Sequence, residues 1–270
     1  MLPPKVPNLP NPKFTHPLKL KVVHIDDGCK GYAGLITNIL KTHPLEKIEL
    51  ERSEEFISNE KFSEFFASLP QTGSQLKSLN LPFDFGLNKE SLEYIVKSCV
   101  NLEELDLRCC DFDQSFLDYV CNNLTPSILK LSLFSDAENY SVDDAVCKLV
   151  KRCSKLQTLD ISNTEITWYG LSAIIDNLHC LEYLALPEEL GEELFLGNKI
   201  NMVKMERLKK MKQLKCLLMF DSATGAPTYQ EILTKEMPQL IRSTWDDFHI
   251  AAIDDARHKQ VEFLPQKYRH

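Results

Sequence analysis

The chain has 270 residues, of which 43% are hydrophobic and 26% are charged, and these proportions exclude a wholly disordered protein. Its formal net charge of −8 disfavours non-specific binding to nucleic-acid phosphates. Only nine residues are glycine, which excludes a collagen-like fibre, and no apolar run approaches the roughly 20 residues that a membrane-spanning helix needs.

The first 17 residues are rich in proline, beginning with Pro3 and Pro4 and ending with Pro17. Proline lacks a backbone N–H donor and fixes φ, so residues 1–17 are predicted to form an extended tail. This tail lacks the charged region followed by an apolar region that is typical of a secretory signal.

A pattern of three aliphatic residues recurs along the rest of the chain: an aliphatic, two variable residues, an aliphatic, one variable residue and a third aliphatic. Seven clear copies are Leu20-Val23-Ile25, Leu45-Ile48-Leu50, Leu76-Leu79-Leu81, Leu102-Leu105-Leu107, Ile128-Leu131-Leu133, Leu156-Leu159-Ile161 and Leu181-Leu184-Leu186. Two weaker copies follow, Leu214-Leu217-Met219 and Leu240-Ser243-Trp245. Successive copies begin 25 to 33 residues apart, which is close to the period of leucine-rich repeats.

Each copy predicts a short strand, because its last two aliphatic residues are two positions apart and therefore point to the same side. Helical spacing follows in the second half of the unit, as in Leu92, Ile95 and Val96. One unit is too small to bury its own apolar face, so the units must stack. The sequence predicts an α/β leucine-rich-repeat solenoid, or horseshoe, of about nine strand–helix units over residues 18–245. Its parallel sheet lies on the concave face, and residues 246–270 follow as a cap or tail.

Cysteine and asparagine occupy particular places around two of these copies. Cys99 and Cys153 precede the first leucine of a copy, and Cys110 and Asn163 follow the strand. The chain thereby resembles the cysteine-containing subclass of leucine-rich repeats, which is typical of F-box leucine-rich-repeat proteins, of relatives without an F-box, and of Zyg-11-like receptors. The resemblance implies a substrate receptor of a cullin-RING ubiquitin ligase. No F-box is visible in the sequence, so no ligase-adaptor motif is assigned.

Strand residues between the core positions are predicted to face the concave side, and they change from charged to apolar along the chain. An exposed apolar stripe is unfavourable unless something covers it. We therefore predict a protein-binding concave face that includes Asp106, Arg108, Phe134, Asp160, Tyr183, Leu218 and Phe220. In the alternative interpretation, residues 246–270 fold back over the apolar stripe as a cap, because they contain apolar residues such as Phe248 and Phe263.

A basic stretch runs from Lys204 to Lys215, in the longest unit. Met202, Met205, Leu208 and Met211 form an apolar stripe at helical spacing. The basic residues of this candidate anion-binding helix are Lys204, Arg207, Lys209, Lys210 and Lys212. The alternative is a helix that covers the core and exposes its basic side chains to solvent.

Motifs for catalysis and metal binding are missing from the sequence. It contains no Gly-x-Gly-x-x-Gly or Gly-x-Ser-x-Gly motif, no Cys-x-x-Cys and no pair of histidines four residues apart. We therefore predict no catalytic residues, no metal site and no cofactor.

The leading interpretation is a non-enzymatic protein–protein interaction module, which recognises substrates or acts as an adaptor in a ubiquitin-ligase-type complex. Its partner is a protein bound on the concave face, with cullin-RING components as candidate further partners, and neither nucleic acid nor a membrane is expected. The alternative is a structural or assembly subunit of a larger complex, mitochondrial or ribonucleoprotein. Nine cysteines in a chain that can fold without disulfides predict an intracellular protein, cytoplasmic or nuclear, and a mitochondrial location is also compatible.

Overall fold

Most of the predicted repeats lie in the part of the chain that the structure describes. The computed structural model describes residues 20–25, 33–50, 60–81, 87–107, 114–133, 141–162, 164–196, 199–219 and 227–240. The predicted tail, residues 1–17, and the predicted cap, residues 246–270, lie outside these ranges.

Strands and helices alternate along the chain. The strands are β1 (Val22–Ile25), β2 (Lys47–Leu50), β3 (Ser78–Asn80), β4 (Glu104–Asp106), β5 (Lys130–Ser132), β6 (Thr158–Asp160), β7 (Tyr183–Ala185), β8 (Phe195–Leu196), β9 (Lys199–Ile200) and β10 (Cys216–Leu218). The helices are α1 (Ala33–Thr42), α2 (Glu60–Thr72), α3 (Lys89–Ser98), α4 (Gln114–Asn123), α5 (Asp143–Arg152), α6 (Trp168–Asn177), α7 (Glu188–Leu194), α8 (Met202–Leu208) and α9 (Pro227–Glu236).

Eight of the strands form one parallel sheet in the order β1-β2-β3-β4-β5-β6-β7-β10. The middle aliphatic residue of each copy pairs with the middle aliphatic residue of the next, as Leu79 does with Leu105 and Leu105 with Leu131. This register confirms the predicted leucine-rich-repeat solenoid. The last copy, which begins at Leu240, continues beyond the described residues.

The sheet takes the inner side of the solenoid for a geometric reason. Neighbouring strands are about 4.8 Å apart, whereas packed helices need about 8–10 Å, so the helical layer is the longer, outer one. The core lies between the two layers. In α3, for example, Asn88 Oδ1 accepts a hydrogen bond of 2.8 Å from the Ser91 N–H at the helix start, and Leu92 and Ile95 then point into the core.

Polar side chains join successive repeats at the turns before the strands. Asn101 Nδ2 donates to the Ser74 carbonyl at 2.8 Å, and Cys153 Sγ donates to the Thr125 carbonyl at 3.6 Å. Each bond links the turn to a carbonyl of the preceding repeat, and the Thr125 carbonyl also accepts the Ile128 N–H at 3.3 Å. Cys153 of the repeat motif therefore has a structural role in this solenoid.

The longest unit, between β7 and β10, contains two helices and a hairpin. The sequence predicts one helix that carries the basic residues from Lys204 to Lys212, but α8 ends at Leu208. The chain turns there, because the Met211 N–H bonds to the Leu208 carbonyl at 2.9 Å and Met211 and Leu214 are buried ahead of β10. Lys209, Lys210 and Lys212 therefore lie after the helix, which corrects the prediction of a single basic helix.

Candidate protein-binding surface

The sheet face opposite the helices carries two rows of side chains. The two rows flank the line of buried aliphatic residues and are fixed by the strand register. The first row is Val22, Lys47, Ser78, Glu104, Lys130, Thr158, Tyr183 and Cys216. The second row is His24, Glu49, Asn80, Asp106, Ser132, Asp160, Ala185 and Leu218. We call these two rows together the concave face.

Ion pairs occupy the part of the concave face from β1 to β5. Lys47 Nζ lies 2.6 Å from Glu49 Oε1, and His24 Nδ1 lies 3.2 Å from the other oxygen of the same carboxylate. Lys130 Nζ lies 3.0 Å from Glu104 Oε1 on the neighbouring strand. These side chains keep part of their surface exposed, so they are within reach of a partner.

The carboxyl group of Glu104 has a lowered pKa despite its partial burial. Burial raises the pKa of this group, but the charge and hydrogen bond of Lys130 lower it by more. A hydrogen bond with Ser78 and the charge of Lys47 add to the lowering. Glu104 is therefore ionised at neutral pH. Neither Glu104 nor Lys130 was among the predicted partner-binding residues, although strand alternation places both on this face.

Asp106 and Asp160, two of the predicted partner-binding residues, differ in their accessibility. Asp106 is partly exposed on β4, beside Asn80 and Ser132 in the register. Asp160 is completely buried, and its Oδ1 accepts hydrogen bonds from the Ser162 N–H at 3.2 Å and from the Ser162 hydroxyl at 2.8 Å. Asp160 therefore holds the turn after β6 and presents no surface to a partner in this conformation.

The apolar end of the concave face is covered. Ala185, Cys216 and Leu218 form a buried cluster that is separate from the main core, and Tyr183 packs against it while keeping some exposure. Leu218 has 0% of its surface exposed. This apolar cluster therefore does not offer the open stripe that its composition suggested. Phe134, Phe220 and Arg108, which complete the predicted surface, lie outside the described residues.

Lys204 and Lys209, from the basic stretch, are engaged by acidic residues of other elements. Lys204 forms an ion pair with Glu193 of α7, and its ammonium group lies 4.5 Å from the centre of the Trp168 ring. Lys209 Nζ lies 2.6 Å from Glu236 Oε2 of α9. Both contacts tie the basic stretch to its neighbours.

Arg207 and Lys210 of this stretch are also paired with an acidic residue. Arg207 Nη2 lies 3.0 Å from Asp176 Oδ2, and Lys210 Nζ lies 3.9 Å from the second oxygen of that carboxylate. Lys212 is exposed. The acidic partners neutralise most of the stretch, which favours its interpretation as a covering element over an anion-binding one.

Thiols in the core are protonated at neutral pH. Burial raises the pKa of Cys99 to about 12 and that of Cys153 to about 11, so both are poor nucleophiles. Within the described ranges, no group of three or more histidine, cysteine, aspartate or glutamate residues could hold a metal ion. The helices in those ranges are also too short or too polar to span a membrane.

Comparison with known proteins relates the chain to one repeat family. A sequence model described as the SKP2 LRR domain matches residues 6–251, a range that includes every residue the structure describes. A crystal structure of a Bacteroides fragilis protein, solved by a structural genomics consortium, has a TM-score of 0.44 with this chain at 14% sequence identity. That similarity covers 84% of this chain and 73% of the other. No match was found among curated proteins.

Proposed function

Since the chain belongs to the SKP2 leucine-rich-repeat domain family, we propose that it is a non-enzymatic subunit of a ubiquitin-ligase-type complex, in which it recognises substrates or acts as their adaptor. The observation that carries this proposal is the family match over residues 6–251. Proteins of this repeat type use their long inner face to bind other proteins. We further propose an intracellular location, cytoplasmic or nuclear, because the buried cysteines are free thiols.

The part of the concave face from β2 to β5 is the best candidate for the partner's main contact. Its charged side chains are partly exposed, whereas the apolar cluster at the other end is already buried. Seven spacings of about 4.8 Å give the whole eight-stranded face a length of about 34 Å, enough for an extended segment of about ten residues. Charges in such a position contribute mainly to partner selection and to the association rate.

The test compares two charge exchanges that each preserve an ion pair. The first, Glu104→Lys with Lys130→Glu, reverses the pattern on the concave face. The second, Glu93→Lys with Lys97→Glu, does the same on the outer surface of α3 and is the matched control. Each variant of the full chain is purified from cells by affinity, and the associated proteins are quantified by mass spectrometry.

We expect the unchanged chain and the α3 variant to retain cullin-RING components together with a substrate protein. The concave-face variant should keep the ligase components, lose the substrate protein and melt at the same temperature. Recovery of a stoichiometric particle without any cullin-RING component would instead support the assembly-subunit alternative. Equal recovery of the substrate protein with both variants would refute the concave-face assignment.

A further inference from the structure

A cavity of about 360 Å³ opens in the helical layer, near the start of α5. Its wall comes from α4, from α5 and the two residues before it, and from α6, so it spans three successive repeats. Five side chains determine its chemistry, and they are Asp118, Asp143, Asp144, Lys148 and Tyr169. The cavity is therefore separate from the concave face, which is formed by the strands.

Asp143 is already used in holding the wall together. Its Oδ1 accepts hydrogen bonds from the N–H groups of Thr167 at 2.9 Å and Gly170 at 3.0 Å, and its Oδ2 accepts one from the Thr167 hydroxyl at 2.6 Å. A Cβ atom on Gly170 would lie 2.4 Å from Asp143 Oδ1, so the close approach requires glycine. These contacts fix the first turn of α6 against α5 and thereby position Tyr169.

The carboxylates of Asp118 and Asp144 are available to a ligand, whereas the Tyr169 hydroxyl is hydrogen-bonded to Cys147 and leaves only its ring. Within the described part of the chain, the carboxylates of Asp118 and Asp144 make no hydrogen bond or ion pair with another side chain. Tyr169 has 65% of its surface exposed. The wall carries three carboxylates against the single ammonium group of Lys148, so its net charge is negative.

We propose that this cavity binds a lysine or arginine side chain of a protein partner. An exposed aromatic ring attracts a cation over its face, and neighbouring carboxylates form charge-assisted hydrogen bonds with it. The volume of the cavity is near the lower limit of about 300 Å³ for ligand pockets, which suits one long side chain rather than a cofactor. The site goes beyond the proposed function of the concave face and does not depend on it.

The probe for this site is the peptide acetyl-Gly-Gly-Arg-Gly-Gly-amide, compared with the same peptide carrying citrulline, which is neutral and nearly isosteric. Each peptide is titrated into the labelled full chain, and the amide signals of Ala145 and Tyr169 are followed by NMR. We expect saturable shifts with the arginine peptide and a dissociation constant in the millimolar range. The citrulline peptide should bind at least roughly fivefold more weakly.

Single substitutions separate the contributions of Asp144 and Tyr169 to binding of the arginine peptide. Asp144→Asn and Tyr169→Ala should each weaken binding of the arginine peptide roughly fivefold, whereas Tyr169→Phe, which keeps the ring, should bind nearly normally. Glu192→Gln is the matched control, because it removes one negative charge from the exposed face of α7. Unshifted amide signals outside the cavity establish that each variant is folded.

Three results would overturn the proposal. The first is the absence of saturable shifts at Ala145 and Tyr169 with the arginine peptide. The second is equal affinity for the arginine and citrulline peptides, which would mean that the positive charge is not recognised. The third is unchanged affinity of a folded Asp144→Asn variant, which would assign the binding to another surface.

Discussion

Replacing Leu218 by alanine decides whether the apolar end of the concave face is packed or open to a partner. Leu218 is fully buried in the apolar cluster, on the side of the sheet that faces away from the helices. The substitution removes three carbon atoms, which is worth about 2.4 kcal/mol at about 0.8 kcal/mol for each buried CH2 group. A cavity term adds to this, so we expect the free energy of unfolding to fall by about 2–4 kcal/mol.

The assay is chemical denaturation of the purified chain, followed by hydrogen exchange. The denaturant concentration at the midpoint of unfolding should fall. In a separate thermal denaturation, the melting temperature should decrease by roughly 5–10 °C. Because each repeat contacts mainly its neighbours, exchange should increase most in β7 and β10. Leu35→Ala is the matched control, since Leu35 is 57% exposed on α1 and its loss should change stability by less than about 0.5 kcal/mol.

One result would contradict the burial argument. If Leu218→Ala changes stability no more than Leu35→Ala but abolishes partner binding, Leu218 belongs to an open interface. The burial argument would then fail, and the sequence-based prediction of an apolar binding stripe would stand.

Two further predictions concern the helical layer and the core. Asp143→Ala should lower the free energy of unfolding by about 1–3 kcal/mol, because it removes two hydrogen bonds from Thr167, just before α6, and one from Gly170 in its first turn. Asp144→Ala should have little effect on thermal denaturation. Burial raises the pKa of Cys99 to about 12, so the unfolded chain releases this proton at a lower pH than the folded chain, and stability should fall as the pH rises above about 9. A Cys99→Ala variant should show a smaller decrease in denaturation midpoint over that pH range.

The fold was predictable because its determinants are local and repeated. Alternate aliphatic residues define a strand, and a period of 25 to 33 residues places equivalent residues such as Leu79, Leu105 and Leu131 in register. Helical spacing between the strands identifies the covering layer. Once units of this size must stack, a parallel sheet with helices on one side follows.

Accessibility on the concave face could not be predicted in the same way. Strand alternation shows that Asp160 and Leu218 face away from the helices, but it does not show what lies over them. Burial depends on contacts with residues distant in sequence, and both side chains are fully buried. The pairing of the basic stretch could not be predicted for the same reason, since the acidic partners of Lys204 and Lys209 come from α7 and α9.

The cavity between the repeats leaves only a faint signal in the sequence. Tyr169 lies outside the apolar stripe formed by Leu171, Ile174 and Ile175 on α6, which is the spacing expected of an exposed residue. Its proximity to Asp118 and Asp144 results from the stacking of three repeats. Residues about 25 positions apart become neighbours in a solenoid, so local patterns identify its elements better than its sites.

Apolar residues and charged residues of the concave face differ in burial, and this difference bears on the proposed recognition of a partner. Apolar residues at the C-terminal end of the concave face are buried, and their contribution is to stability. The exposed groups nearer the N-terminus are paired charges such as Lys130 and Glu104, whose desolvation by a mismatched partner would be unfavourable. If a partner binds here as proposed, it must satisfy these charges, because burying them without compensation would cancel the gain from binding. Selectivity at the proposed binding surface would then depend on the partner's polar groups, so exchanging one ion pair tests the proposal more directly than removing an apolar side chain.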